Sequence, residues 1–264
     1  MNSKQALLFL VTILLGTVSC SGPESHASSN EVDRLKFELE KVRSEQNALR
    51  AEISNIRDIL SRLPSKAAPI VAANFKPDGS EKNDPFKGSA DAEILLMAFS
   101  DYQCKPCRDF VEQTLPKLMV DFIEPGKVKY VLRDYPLPSN SHALRAAALA
   151  HCAGEQGHYW QMHDALIKNS EAVDKGNWSS LYRAAPDLDS DKLERCSASS
   201  RYEDEINKDI QAAKELGAKG APGFFIGKRQ SGGSFRGVFV RGAQPFAVFA
   251  SQIEHLQQNG NSNL

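Results

Sequence analysis

The sequence has almost no net charge: 32 lysines and arginines stand against 33 aspartates and glutamates in 264 residues, a balance of −1. A chain built mainly to bind nucleic acid or an anionic surface needs a basic excess, and this one has none. Long apolar runs are missing too. The stretch from Ala6 to Leu15 is almost wholly apolar but falls well short of the ~20 residues that cross a bilayer. Cysteine is sparse, five in all, and no second Cys or His pair follows Cys104 and Cys107 at ligand spacing, which removes the usual zinc arrangement. What is present, 41% hydrophobic and 25% charged residues, suits one or two globular domains with a sizeable core.

The N-terminus has Lys4, the apolar run, then Gly16-Thr17-Val18-Ser19-Cys20, which reads as a secretory signal over residues 1–19. Val18-Ser19-Cys20 resembles a bacterial lipobox, in which Cys20 is lipidated and becomes the mature N-terminus; Thr17 stands where that pattern usually has an aliphatic residue. Ordinary cleavage to a soluble protein is the alternative. Either way the chain is exported to the periplasm or cell envelope, where disulfides persist. Residues 20–30, rich in Ser, Gly and Pro, read as a tether.

The next segment changes character. Val32, Leu35, Leu39, Val42, Gln46, Leu49, Ile53, Ile56, Leu60 and Leu63 keep a strict 3-4 spacing over five heptads. Glu31, Glu38, Glu45 and Glu52 take g positions, and Lys36, Arg43, Arg50 and Arg57 take e positions, so each g acid meets the following e base of a parallel neighbour. A helix docked on its own domain would not need charges sorted to the two sides of its seam. The expectation over residues 31–63 is a parallel homo-oligomeric coiled coil, dimer or trimer, with a docked helix as the alternative. Pro64 ends it, and residues 64–88 read as a linker to a domain over 89–264.

In that domain, Cys104-Lys105-Pro106-Cys107 follows the apolar run Glu93 to Ser100 and precedes a helix-compatible stretch from Arg108. The thiols therefore open a helix at the end of a strand, where unpaired N–H groups and the positive end of the helix favour a thiolate at Cys104. On this reading Cys104 is the nucleophile and Cys107, one turn in, the resolving thiol. Lys105 adds a positive charge nearby, and its alternative is an ordinary solvated lysine. Asp101, the only nearby acid, is a further tuning candidate that could instead cap the helix.

Phe99-Ser100-Asp101-Tyr102-Gln103-Cys104-Lys105-Pro106-Cys107 resembles the active-site signature of the DsbA-like branch of the thioredoxin superfamily. Asp84-Pro85-Phe86-Lys87-Gly88 upstream, then Arg133-Asp134-Tyr135-Pro136-Leu137, Gln156-Gly157-His158-Tyr159-Trp160 and Gly220-Ala221-Pro222-Gly223-Phe224-Phe225-Ile226-Gly227 match in order. The resemblance implies an α/β thioredoxin fold with a helical domain inserted at about residues 139–216, here preceded by the coiled-coil helix. It implies no cofactor. It also implies that Pro222 is a cis-proline facing the dithiol, that Ala221 pairs with the substrate backbone, and that a membrane redox partner recharges the site. Pro106 resembles reducing thioredoxins more than strongly oxidising relatives, Ala221 replaces the usual Thr or Val, and Ala98 stands where a buried Glu is common.

Cys152 and Cys196 fall in the helical block and read as a structural disulfide, with two buried free thiols as the alternative. His151, His158 and His163 with Cys152 suggest a metal, but at no recognised ligand spacing. The expected function is an exported thiol–disulfide oxidoreductase acting on protein substrates, an isomerase or reductase. A DsbA-type oxidase is the runner-up, and a tethered metal-binding protein comes third.

Overall fold

A computed structural model describes residues 29–62, 70–77, 84–183 and 185–258. The expected signal, most of the tether, Cys20 and Pro64 lie outside the described residues. The chain divides into two units at Ser65–Lys66.

The first unit holds one helix, α1 (Ser29–Arg62), with Glu31 in its first turn, where a carboxylate favours the positive end of the helix. At 34 residues it is about 50 Å long. Its seam residues Val32, Leu35, Leu39, Val42, Leu49 and Ile53 are 38–62% exposed. No helix among the described residues is long and apolar enough to cross a membrane.

The second unit is built on a six-stranded sheet. Its strands are β1 (Val71–Phe75), β2 (Phe86–Lys87), β3 (Ile94–Ser100), β4 (Val128–Asp134), β5 (Gly223–Arg229) and β6 (Phe235–Arg241), in spatial order β1-β6-β5-β3-β4-β2. β3 and β4 are parallel, while β5 and β6 form an antiparallel hairpin whose first strand pairs with β3. The uninterrupted apolar run of β3 follows from burial on both faces. Ile94, Leu96 and Ala98 face one core with Phe224, Ile226, Val238 and Val240; Leu95, Met97 and Phe99 face the other with Val131, Phe225 and Phe239.

The first face is covered by a helical rod and by the closing helix. The rod runs through α2 (Lys105–Asp109), a π-helical turn (Phe110–Thr114), α3 (Leu115–Leu118) and a second such turn (Met119–Ile123). Pro116 explains the first widening: it has no N–H and its ring crowds the carbonyl four residues back, so Leu115 bonds to Phe110 five residues back instead. Phe110, Leu118 and Phe122 from the rod pack with Phe249 and Ile253 of the closing helix. Each fully buried side chain of this kind contributes about 1.5–3 kcal/mol.

Six helices lie between β4 and β5: α4 (Ala143–Gly154), α5 (Tyr159–Lys168), α6 (Ser170–Asp174), α7 (Trp178–Arg183), α8 (Ser190–Ser197) and α9 (Glu203–Glu215). They match the expected insertion, and only the short α6 was not anticipated. Small residues Ala146, Ala150 and Ala153 of α4 let α5 and α8 approach closely, and Leu149, Met162, Leu166, Leu181, Leu193 and Ile206 fill the centre. The last helix, α10 (Phe246–Gln258), closes the fold.

One expectation needs correction. Residues 64–88 are not all linker: β1 pairs with β6 from Val71↔Phe239 to Phe75↔Phe235, and β2 pairs with β4. Composition hid β1 because it is an edge strand that buries only Phe75, whose ring lies 6.0 Å from Phe225 and 6.4 Å from Phe235. Gly88, at φ +88°, turns the chain out of β2; a Cβ there would meet the Val128 carbonyl at 2.5 Å.

Cys152 on α4 and Cys196 on α8 are joined by a disulfide with Cα atoms 5.9 Å apart, across a sequence separation of 44. Closing a loop of that length restricts the unfolded chain by about 4 kcal/mol in the chain-entropy account. Replacing both with alanine should lower unfolding free energy by about 2–4 kcal/mol in a denaturant titration, with Cys104–Cys107 still exchanging with glutathione. An unchanged midpoint would show that the bridge restrains nothing the packing does not already hold.

Candidate functional site

The chain leaves β3 at Ser100 and reaches the first residue of α2 five positions later. Cys104 is the residue before the helix, in extended backbone (φ −80°, ψ 111°), and its Sγ accepts from the Cys107 N–H at 3.3 Å. Sulfur thus occupies the place a Ser or Asp oxygen usually takes at a helix start. Pro106 sits in the first turn, where its missing N–H costs nothing. Cys104 and Cys107 are joined by a disulfide with Cα atoms 5.2 Å apart. Cys104 is 6% exposed and Cys107 1%, so the expected order of access is present although neither is open to solvent.

Ala221 and Pro222 face this pair. Their peptide bond is cis, and the Ala221 carbonyl oxygen lies 3.5 Å from Cys104 Sγ. The loop is anchored because Gly223 begins β5 beside Phe99, and Gly242 N–H donates to the Pro222 carbonyl at 2.8 Å.

Asp101 neither caps the helix with its side chain nor stays solvated. It is buried, and its carboxylate accepts from the N–H of Gln103 (2.7 Å), the N–H of Leu137 (2.7 Å) and the Asn140 amide (2.8 Å). Burial pushes its carboxyl above the usual range against the pull of those hydrogen bonds. It ties the segment before Cys104 to the chain leaving β4. Lys105 fits the alternative of a solvated lysine: it is 75% exposed and its ammonium pairs with Asp109 at 2.7 Å, one turn along the helix. Position 98 is a buried alanine, so no acid sits there.

A second polar cluster escaped the sequence reading. Arg133 Nε pairs with Asp84 at 2.8 Å and approaches Asp209 at 3.5 Å; Asp209 accepts from the Asp134 N–H at 3.0 Å; His151 Nε2 lies 2.7 Å from Asp134 Oδ2. The cluster joins β4 to α4 and α9. Its signal was two charged residues, Arg133-Asp134, ending a strand that is apolar and buried apart from Lys129. His163 lies against Tyr102 edge to face and against Asp164 at 3.1 Å. Among the described residues no three His, Cys, Asp or Glu side chains converge as a metal site requires.

A parallel β3–β4 pair, an antiparallel hairpin and a C-x-x-C at a helix start opposite a cis-proline define a thioredoxin-fold dithiol protein. Comparison with known proteins places it further. The thioredoxin family model matches residues 80–236, and the chain belongs to that family. It is 23% identical over 153 residues to disulfide bond formation protein D of Bacillus subtilis, covering 56% of this chain and 69% of that one. It is 30% identical over 205 residues to a Na(+)/H(+) antiporter, NhaA 3, of Salinispora tropica, covering 73% of this chain and 30% of that protein's length. Among solved structures, α-DsbA1 of Wolbachia pipientis superposes with a TM-score of 0.57 at 24% identity, covering 67% of this chain and 92% of that one. The last likeness bears on the fold.

The buried cluster makes stability depend on pH. Burial pushes the Asp209 carboxyl up to about 8; Arg133 pulls it back, and Asp134 and Asp84 add to the rise. For His151, burial alone pushes down, but the Asp134 hydrogen bond and the charges of Asp134, Glu205 and Asp209 outweigh it, and the net direction is up. Both groups hold protons more tightly folded than unfolded. Their contribution is full below the unfolded values, about 3.9 for Asp and 6.5 for His, and is lost as pH rises through the folded ones. The denaturant midpoint should therefore fall between about pH 4 and about 8, and Asp209→Asn should flatten that fall. An equally steep fall in the variant would place the tightly held proton elsewhere.

Proposed function

We propose that this chain is an exported protein thiol–disulfide oxidoreductase that works as an isomerase or reductase on substrate disulfides. The observation that carries the reading is Cys104 Sγ at the start of α2, on the Cys107 N–H and 3.5 Å from the Ala221 carbonyl. The Cys104 thiolate attacks a substrate disulfide, forming the mixed disulfide and releasing one substrate thiolate. Cys107 then attacks Cys104, giving the Cys104–Cys107 disulfide and releasing the second substrate thiol. Two electrons pass to the substrate, and a membrane redox partner supplies two more to reduce the Cys104–Cys107 disulfide again. If instead a different substrate thiolate first attacks the substrate sulfur of the mixed disulfide, a new substrate disulfide forms, Cys104 leaves as the thiolate, and the substrate is isomerised with no net transfer of electrons. Pro222 and Ala221 form the wall against which an extended substrate lies.

The full arrangement is a signal over 1–19, a lipid anchor on Cys20, a tether, a parallel coiled coil over 31–63 and the dithiol domain. The exposed seam of α1, with glutamates on one flank and lysine or arginines on the other, supports assembly of two or three copies. Clustered dithiols favour isomerisation, since a substrate released by one site stays near the next. The second reading, a dithiol oxidase that donates its disulfide to folding proteins, is favoured by the likeness to a disulfide bond formation protein. The redox state of Cys104 and Cys107 in intact cells separates the two: mostly reduced supports the isomerase, mostly oxidised the oxidase.

Cys104→Ser should abolish reduction of an insulin disulfide, whereas Cys107→Ser should accumulate substrates as mixed disulfides on non-reducing gels. Trapping through Cys152 or Cys196 would overturn the assignment.

Removing residues 31–63 should leave a folded monomer by analytical ultracentrifugation that still reduces small disulfides, with isomerase activity on scrambled proteins falling much further. Full-length chain that sediments as a monomer would remove the clustering argument and favour the oxidase.

A further inference from the structure

The charge expected to stabilise the nucleophile, Lys105, turns along the helix to Asp109 and leaves that role to another group. Arg108 lies four residues after Cys104, one turn along the same face, and its backbone N–H donates to the Cys104 carbonyl at 3.2 Å. Its side chain reaches back toward the helix start: Nη1 donates to the Tyr102 carbonyl at 3.0 Å, two residues before Cys104. Only 15% of the side chain is exposed, so solvent screens this charge less than that of Lys105.

Asp174, on α6 of the insertion, stands against it. One carboxylate oxygen lies 3.8 Å from Arg108 Nη1 and accepts from the Gln103 amide at 3.5 Å, while the Gln103 carbonyl oxygen accepts from the His142 N–H at 2.7 Å. The other charges nearby are engaged: Asp101 by three donors, Lys105 and Asp109 with each other, Lys175 with Glu171.

We propose that Arg108 and Asp174 are an opposed pair of positioning charges that sets the thiolate stability of Cys104, Arg108 lowering its pKa and Asp174 raising it. The helical insertion thereby tunes the dithiol through a residue of α6. This rests on the reading of Cys104 as the nucleophile. A unit charge about one helical turn away and partly screened is worth roughly 0.5–1 pKa unit, a three- to tenfold change in thiolate fraction near neutral pH.

The test is the pH dependence of Cys104 alkylation by iodoacetamide in the reduced full-length chain, with the glutathione equilibrium measured alongside. Arg108→Gln should raise the Cys104 pKa by about 0.5–1 unit and make the protein more reducing, Arg108→Lys should restore most of the wild-type value, and Asp174→Asn should lower the pKa. A merely structural role would move Arg108→Gln and Asp174→Asn in the same direction, because each variant loosens the same corner. That result, or no shift in either, overturns the proposal while a low wild-type Cys104 pKa leaves the nucleophile reading intact. Conversely, an ordinary thiol pKa in the wild type with opposite shifts in the two variants supports the pair and defeats the activated nucleophile.

Discussion

A helix must begin with N–H groups that have no partner four residues back inside it, and in this chain a sulfur atom stands against one of them, the Cys107 N–H. Oxygen would cap better, since Ser, Asp or Asn at this place is worth about 1 kcal/mol over a residue that cannot accept. A disulfide sulfur is a poor acceptor and a thiolate a good one, so the Cys107 N–H, 3.3 Å from Cys104 Sγ in the disulfide, stands where it would favour a thiolate at Cys104 more than a bridged sulfur. The rest of the fold holds Cys104 at that spot: β3 delivers the chain to it, the β3–β4 pairing fixes where β3 stops, and β5 returns Ala221 to face it.

The insertion is joined to this arrangement by packing, Ala213 and Leu216 of α9 lying in one core with Leu95, Met97 and Phe99, and by polar contacts. Where β4 ends, Arg133 and Asp134 point into a charged cluster with Asp84, Asp209 and His151. Burying so many charges stabilises little on balance, because desolvation offsets most of the Coulomb gain. Its effect is geometric. Losing one member would leave the others buried and unpaired, so α4 and α9 have one acceptable seat on the sheet, and burial raises the Asp209 carboxyl so that it holds its proton more tightly there.

Much of this could be read from residues alone, and the exceptions have physical causes. β3 was legible because a short apolar run before a C-x-x-C admits few other interpretations, and β5 and β6 because aromatic and β-branched residues cluster there. β1 was not, since Val71-Ala72-Ala73-Asn74-Phe75 gains most of its stability from the backbone ladder to β6, which leaves no mark on composition. Lys105 had two readings that sequence could not separate. A helix brings residues four apart together, so Asp109 took the lysine, while Arg108 reached back to the Tyr102 carbonyl. Asp101 could be seen as the only nearby acid, yet its partners lie 36 and 39 residues away, where no local pattern can reveal them.

Those distant partners show why the insertion stands between β4 and β5 and belongs to the site. Leu137, Asn140 and His142 are where the chain passes from β4 into α4, and each contacts Asp101 or Gln103 in the segment before the nucleophile. A buried carboxylate that loses one of three donors is destabilised by about 1–3 kcal/mol. Any loosening of the insertion that pulls this passage away is thus felt directly at the turn that presents Cys104. The Cys152–Cys196 bridge and the charged cluster restrain α4 from its other side. A thioredoxin core alone would position the dithiol through its strand and helix; here the same turn is also held from the insertion, and the rigidity of one is a condition for the geometry of the other.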